Sequence, residues 1–225
     1  MRRPILTALM AAGVLTASCQ QPAQAEGAVA TPAAAVQANE AAGKKVAVFA
    51  GGCFWGIEAV FSHLKGVSSV VSGYHGGAQK TAIYDVVGSG NTGHAEAVRV
   101  TYDPAKIRYD QLLRVFFAVG ANPTQLNYQG PDHGTQYRNA LVPMDKEQAR
   151  VAGAYLGQLK KSGLWKQPIV TTVEPYKAFY PAEAYHQDFA ERNPDHGYIR
   201  RWDAPKVAAL KKLFPDLYKP TFTRN

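Results

Sequence analysis

The run AVFAGGCFWGIEAVF, Ala47 to Phe61, constrains the fold more than any other stretch. Val46 to Ala50 reads as a short buried strand. Gly51 and Gly52 turn the chain, and Phe54, Ile57, Val60, Phe61 and Leu64 then recur at helical spacing. Cys53 stands at the junction, at or within a residue of the helix N-terminus. Free backbone N–H groups and the helix dipole favour an anion there. Position alone therefore predicts a lowered thiol pKa and a larger share of thiolate.

The rest of the chain mixes the two periodicities without a regular βαβ rhythm. SSVVSGYHGG reads as a second strand running into a Gly-rich loop from His75 to Gly93, with Tyr84 in its middle. In GHAEAVRVTYDP the alternation is clear. Glu96, Val98, Val100 and Tyr102 share one face, and Ala95, Ala97, Arg99 and Thr101 the other. A carboxyl on that apolar face has its pKa raised and becomes a proton donor near neutral pH. At a frayed strand end it would simply be solvated, and both readings stand. RYDQLLRVFFAV is an amphipathic helix capped around Tyr109 or Asp110. A polar, Gly/Pro-rich passage follows and ends in a strand around Ala140 to Val142. Asp145 with Gln148 predicts a capped helix from Lys146 to Lys161, stopped by Gly163. PIVTTV reads as a strand, FYPAEAYHQDFAERNP as a short helix with Pro181 in its first turn, and DAPKVAALKKLF as a C-terminal helix. The expected class is α+β, a mixed sheet with helices packed on it.

The N-terminus follows other rules. Arg2 and Arg3, an apolar run from Ile5 to Ala17 and small residues thereafter form a secretory signal over residues 1–25. Ala23-Gln24-Ala25 fits cleavage to a free protein. LTASC resembles a lipobox, which makes Cys19 the lipidation candidate and is the leading route. Residues 20–43, mostly Ala, Gln, Pro and Thr, read as a disordered linker, with the catalytic domain at 44–225. The expected location is the cell envelope, in the periplasm, with the membrane met only through that lipid. The net charge of +8 is scattered, which reads as solvated helix faces, with a nucleic-acid groove the lesser reading and nucleic acid not an expected partner. The mature domain keeps one cysteine, so a structural disulfide is excluded.

One thiol leaves few chemistries. A cysteine hydrolase or acyltransferase needs a histidine base, and none of the histidines stands in such a frame. Metal-ligand spacing and Cys-x-x-Cys are absent from the sequence. A thiol that takes oxygen from another atom needs only an acid and an apolar pocket. Cys53, Glu96 and the Phe54-Trp55 pair supply those parts.

GGCFWGIE, TGHAEAV, YDP, NPTQLN, DHGTQYRNA and FYPAEAYHQ, in that order, resemble the signature series of the methionine sulfoxide reductase A family. The likeness runs from about Val46 to near Tyr218. It implies a two-layer ferredoxin-like sandwich with long loops, and reduction of methionine S-sulfoxide, free or in proteins. It implies that Cys53 attacks the sulfoxide sulfur, that Glu96 protonates the oxygen, and that Tyr84 and Tyr137 donate hydrogen bonds to it. Phe54 and Trp55 would cage the methyl group, and Asp132 would organise the site. Departures are visible. PDLYKPTFTRN lacks the C-terminal cysteines that resolve a sulfenic acid in many members, GGAQKTAIYDVV lacks Asn-Pro-Thr before Tyr84, and Ala121-Asn122 replaces His-Asp. The implied cycle has no bound cofactor. Cys53 stays a sulfenic acid until an external thiol, a thioredoxin-like protein or a small thiol, reduces it. The expected form is a monomer. Two other readings are a Cys53 hydrolase and a non-catalytic surface lipoprotein that binds methionine-rich segments.

Overall fold

The computed structural model describes residues 28–224. The signal over 1–25 and Cys19 lie outside the described residues. Strand β1 (Lys45–Gly51) enters the centre of the sheet, and α1 (Phe54–Ser62) follows two residues later. The chain continues through β2 (Val67–His75), the single turn α2 (Tyr84–Val87), β3 (Ala95–Tyr102) and α3 (Tyr109–Val115), which a π turn extends to Gly120. A short ribbon of β4 (Tyr128–Gln129) and β5 (Asp132–His133) precedes β6 (Asn139–Val142) and α4 (Lys146–Lys161). Then come β7 (Thr172–Val173), β8 (Phe179–Pro181), α5 (Phe189–Arg192), a π turn (Ile199–Asp203) and α6 (Ala204–Leu213).

The sheet order is β7-β6-β1-β3-β2-β8. Its inner four strands, β6-β1-β3-β2, are antiparallel neighbours joined by α1 and α3, the ferredoxin-like weave. β7 lies parallel to β6, which makes the whole sheet mixed. One face receives the helices because it carries the large side chains. Phe49 stacks on Phe61 at 4.8 Å, on Phe116 at 5.4 Å and on Tyr109 at 5.9 Å. Val98, Val100 and Tyr102 lie on this face, as the alternation requires. The opposite face is built of small residues, Val48, Ala50, Ala95, Ala97, Ala140 and Val142, with Phe179 across them and Arg99 5.1 Å from its ring.

Helix α4 begins and ends as expected. Asp145 Oδ1 accepts from Gln148 N at 2.8 Å, and Gly163 beyond its end has φ +67°. Elsewhere the elements are corrected. PIVTTV keeps only Thr172–Val173 as strand, and Pro181 closes β8 instead of opening a helix. Proline suits both places because β8 is an edge strand, where a missing N–H costs no ladder bond.

The larger correction is at the N-terminus. From Ala28 onward the stretch expected to be a disordered linker lies along α3 and α4. Val29 N donates to Ala118 O at 2.8 Å, Arg114 Nε to Thr31 O at 3.0 Å, and Tyr155 Oη to Pro32 O at 2.8 Å. Ala38 N donates to Asp110 Oδ1 at 3.0 Å, and Glu40 Oε2 takes Tyr109 N at the start of α3 at 2.9 Å. Composition rules out a core of the segment's own, but its backbone amides and carbonyls still pair with groups that the helices present. The described fold therefore starts well before Lys44.

Candidate active site

Cys53 is the N-cap of α1, with φ −51° and ψ 121°. Gly52, at φ +88°, makes the turn into it, and a Cβ there would lie 2.4 Å from Gln129 Cβ. Cys53 is 8% exposed and opens on a cavity of about 260 Å³, lined also by Gln129, Asp132, Tyr198, Trp202 and Lys206.

Two successive amides of α1 divide their work. Phe54 N donates to Glu96 Oε2 at 3.0 Å, and the Trp55 N–H donates to the Cys53 sulfur. One helix turn thus holds the carboxyl and the sulfur side by side, although Glu96 comes from the middle of the sheet. Glu96 is 3% exposed. Burial pushes its pKa up to about 8, helped by Asp132 and Asp203 and opposed by the Phe54 bond. The frayed-end reading of Glu96 is thereby removed.

The thiol contradicts its expectation. Burial raises its pKa well above the ordinary value, and the charges of Glu96, Asp203 and Asp132 add to this; only the Trp55 N–H pulls the other way. The helix N-terminus is where the sequence puts it. Loss of water and three converging carboxyls outweigh it.

The tyrosines approach from two loops. Tyr84 opens α2, its N–H held by Glu183 Oε1 at 2.9 Å, while Tyr74 Oη donates to Glu183 Oε2 at 2.8 Å. Glu183 anchors the loop that lacks Asn-Pro-Thr, and Tyr84 stacks on Phe54 at 6.5 Å and lies tilted 4.3 Å from His186. Burial, then Glu96 and Cys53, push the Tyr84 phenol up to about 12. Burial and Glu96, with smaller contributions from Asp132, Tyr84 and Cys53, raise Tyr137 in the same direction. Both phenols keep their protons near neutral pH.

Phe54 is buried and Trp55 half-buried. Trp55 lies 3.8 Å from the Phe189 ring, nearly parallel, and its Nε1 donates to His186 Nδ1 at 3.1 Å. With its one polar atom engaged, the indole offers only apolar surface. Burial lowers the His186 pKa, so the ring is neutral and carries its proton on Nε2. The other buried histidines are occupied elsewhere, His94 with Gly77 and Ala78, and His75 with Lys177. Among the described residues no group of three His, Cys, Asp or Glu could hold a metal ion.

Asp132 faces the sulfur from β5, and its Oδ2 accepts from Tyr198 Oη. Tyr198, Glu183 and Asp203 were missed from the sequence. Tyr198 is one of twelve tyrosines with no local signature. Asp203 stands at the start of α6, where an aspartate passes for a cap, yet its side chain makes no capping bond.

The family model described as peptide methionine sulfoxide reductase matches residues 45–217. Peptide methionine sulfoxide reductase MsrA 2 of Mesorhizobium japonicum is 58% identical over 79% of this chain and 91% of its own. MsrA of Deinococcus radiodurans is 49% identical over 78% of this chain and 84% of its own. Mxr1 from Saccharomyces cerevisiae in reduced form superposes with a TM-score of 0.58 at 33% identity, covering 68% of this chain and 87% of its own. Methionine sulfoxide reductase A of Corynebacterium diphtheriae gives 0.57 at 28% identity, over 77% and 92%. The chain belongs to the peptide methionine sulfoxide reductase A family, oxidoreductases that reduce methionine sulfoxide and so repair oxidised methionine.

Proposed function

We propose that the chain reduces the S epimer of methionine sulfoxide, free or in proteins, by attack of Cys53 on the sulfoxide sulfur with Glu96 as the acid. One observation carries this. Adjacent amides of α1 hold the one free cysteine of the described residues beside a buried carboxyl, at the wall of a cavity. As Cys53 attacks, negative charge gathers on the sulfoxide oxygen. Glu96, protonated below about pH 8, neutralises it by giving up a proton. The Tyr84 and Tyr137 hydroxyls donate to the same oxygen in a site from which water is largely excluded. A methyl group offers no hydrogen bond, so shape and apolar area select it, at about 25 cal/mol per Å². Phe54 and the indole face of Trp55 provide that surface.

The product is a Cys53 sulfenic acid. The described residues hold no second thiol to condense with it. An external thiol therefore attacks Cys53, forms a mixed disulfide and releases water, and a second thiol frees the enzyme. That reductant is a thioredoxin-like protein or a small thiol. The signal-like N-terminus supports a place in the cell envelope, where the substrates would be oxidised envelope proteins. Mass spectrometry of the mature N-terminus tests this location, and an intact Met1 overturns it.

Chemistry is tested with racemic methyl p-tolyl sulfoxide and dithiothreitol. The expected result is loss of one epimer. Without reductant, one turnover adds a single oxygen that maps to Cys53. Equal consumption of both epimers, or of neither, sinks the proposal.

A further inference from the structure

Attack by a resting thiol sheds a proton. Glu96 gives a proton to the oxygen and is no acceptor, so another group must take the one from sulfur. Three carboxyls act on Cys53 through their charge: Glu96 from β3, Asp132 from β5 and Asp203 from the π turn before α6. Tyr84, Tyr137 and Tyr198 couple to it as well, and burial holds all three as phenols. Asp132 is engaged, since Tyr198 Oη donates to its Oδ2. Asp203 is fully buried, and its carboxylate is partnered by Lys206. Lys206 Nζ stands 3.7 Å from Oδ1, a long ion pair that leaves the second oxygen, Oδ2, free to accept.

Helix α1 makes room for this carboxyl. A Cβ at Gly56 would lie 2.2 Å from Asp203 Oδ1. The last glycine of Gly-Cys-Phe-Trp-Gly thus admits a buried acid to the first turn of the nucleophile's helix. Asp203 and Lys206 also join two cavities. Lys206 lines the one on which Cys53 opens, and Asp203 lines a second of about 230 Å³, walled by Ala59, His63 and Phe222. Burial lifts the Asp203 pKa to about 6, against the pull of Lys206, while Glu96 stands at about 8. Near neutral pH the first is mostly ionised and the second mostly protonated, which separates acceptor from donor.

We propose that Asp203 accepts the Cys53 proton, directly or through one water, as the sulfur attacks. This rests on the Cys53–Glu96 reading above. The S–H bond breaks towards Asp203, a bond forms from Cys53 Sγ to the sulfoxide sulfur, and Glu96 protonates the oxygen. The hydroxyl then passes to Cys53 Sγ as the S–S bond breaks and the sulfide leaves. Cys53 loses the two electrons that the sulfoxide sulfur gains. Asp203 then releases its proton and Glu96 is reprotonated, so the net proton count is unchanged.

The test compares the full chain with Asp203→Asn by two rates across the neutral pH range. One is alkylation of Cys53 by iodoacetamide, and the other is single-turnover formation of the Cys53 sulfenic acid from methyl p-tolyl sulfoxide. In the variant, alkylation is as fast or faster, because a negative charge beside the sulfur is gone. Sulfenic acid formation falls about tenfold or more at neutral pH, and the rise centred near pH 6 in the parent disappears. Both rates rising would make Asp203 only an electrostatic neighbour, both falling would make it structural, and both unchanged would make it idle. Each of these overturns the proposal. Should Asp203→Asn not fold, Lys206→Met takes its place. Loss of the cation moves the rise to higher pH by about one unit, and an unmoved rise overturns the proposal. A parent that forms no sulfenic acid from either epimer overturns the Cys53–Glu96 reading instead.

Discussion

Glu96 carries the residue-scale argument. Alternation along β3 puts it on the same face as Val98, Val100 and Tyr102, and nothing local says whether water reaches it. Burial at 3% exposure, with the Phe54 amide as its partner, makes it an acid that ionises only near pH 8. Glu96→Gln removes that proton and should slow single-turnover sulfoxide reduction by about 10²–10⁴-fold. In the parent the same rate should fall as pH rises through about 8, because the donor is then lost. A rate that stays flat there would remove Glu96 from the role of acid. Cys53 teaches the converse. Its place at a helix start is plain in the chain, but its protonation is set by burial and by Glu96, Asp203 and Asp132, none of them local. A helix end can be read from sequence; a local field built by distant charges cannot.

At the scale of elements, α1 is fastened by a carboxyl outside the proposed chemistry. Glu58 is fully buried on its inner face, where its Oε1 accepts from Asp188 N at 3.2 Å and its carboxyl bonds Ser72 of β2. Burial raises its pKa from 4.5 to about 8. A carboxyl raised by folding favours the native state below its unfolded pKa, and that contribution is lost as pH rises through the folded value. Glu58→Gln keeps an acceptor for Asp188 and can never ionise. Its melting temperature should therefore exceed the parent's near pH 8, by about 2–4 °C for each kcal/mol recovered in a chain of this size. The gap should close towards pH 5, and a gap independent of pH would exclude ionisation of Glu58 as its cause. The loops obey the same logic of distant anchors. Tyr84 is placed by Glu183 from beyond β8, so a loop without the family's usual residues still delivers its phenol to the site. Pro181 ends an edge strand because β2 lies on one side of β8 only, a fact of sheet order that a local reading of FYPAEAY does not contain.

For the whole molecule, the N-terminal strap decides where the protein begins. A chain starting at Ala28 keeps the bonds to α3 and α4, and one starting at Lys44 loses them. With each net hydrogen bond contributing about 1 kcal/mol, urea denaturation should find the shorter chain less stable by about 2 kcal/mol or more, with Cys53 still reactive. Equal midpoints would mean that the strap adds nothing. Most of the sheet was legible beforehand, because strand and helix periods, the Asp145 cap and the stop at Gly163 depend on residues within a turn or two of each other. The motif series likewise pointed to Cys53, Glu96 and Phe54, which the fold brings together. The strap, the anchor at Glu183, the raised thiol and the buried carboxyl at Asp203 belong to assembly alone. They arise from groups brought together across long spans of chain, 72 residues for Ala38 and Asp110 in the strap and 99 for Tyr84 and Glu183. Burial and charge act through space, and only the closed fold says which groups share it.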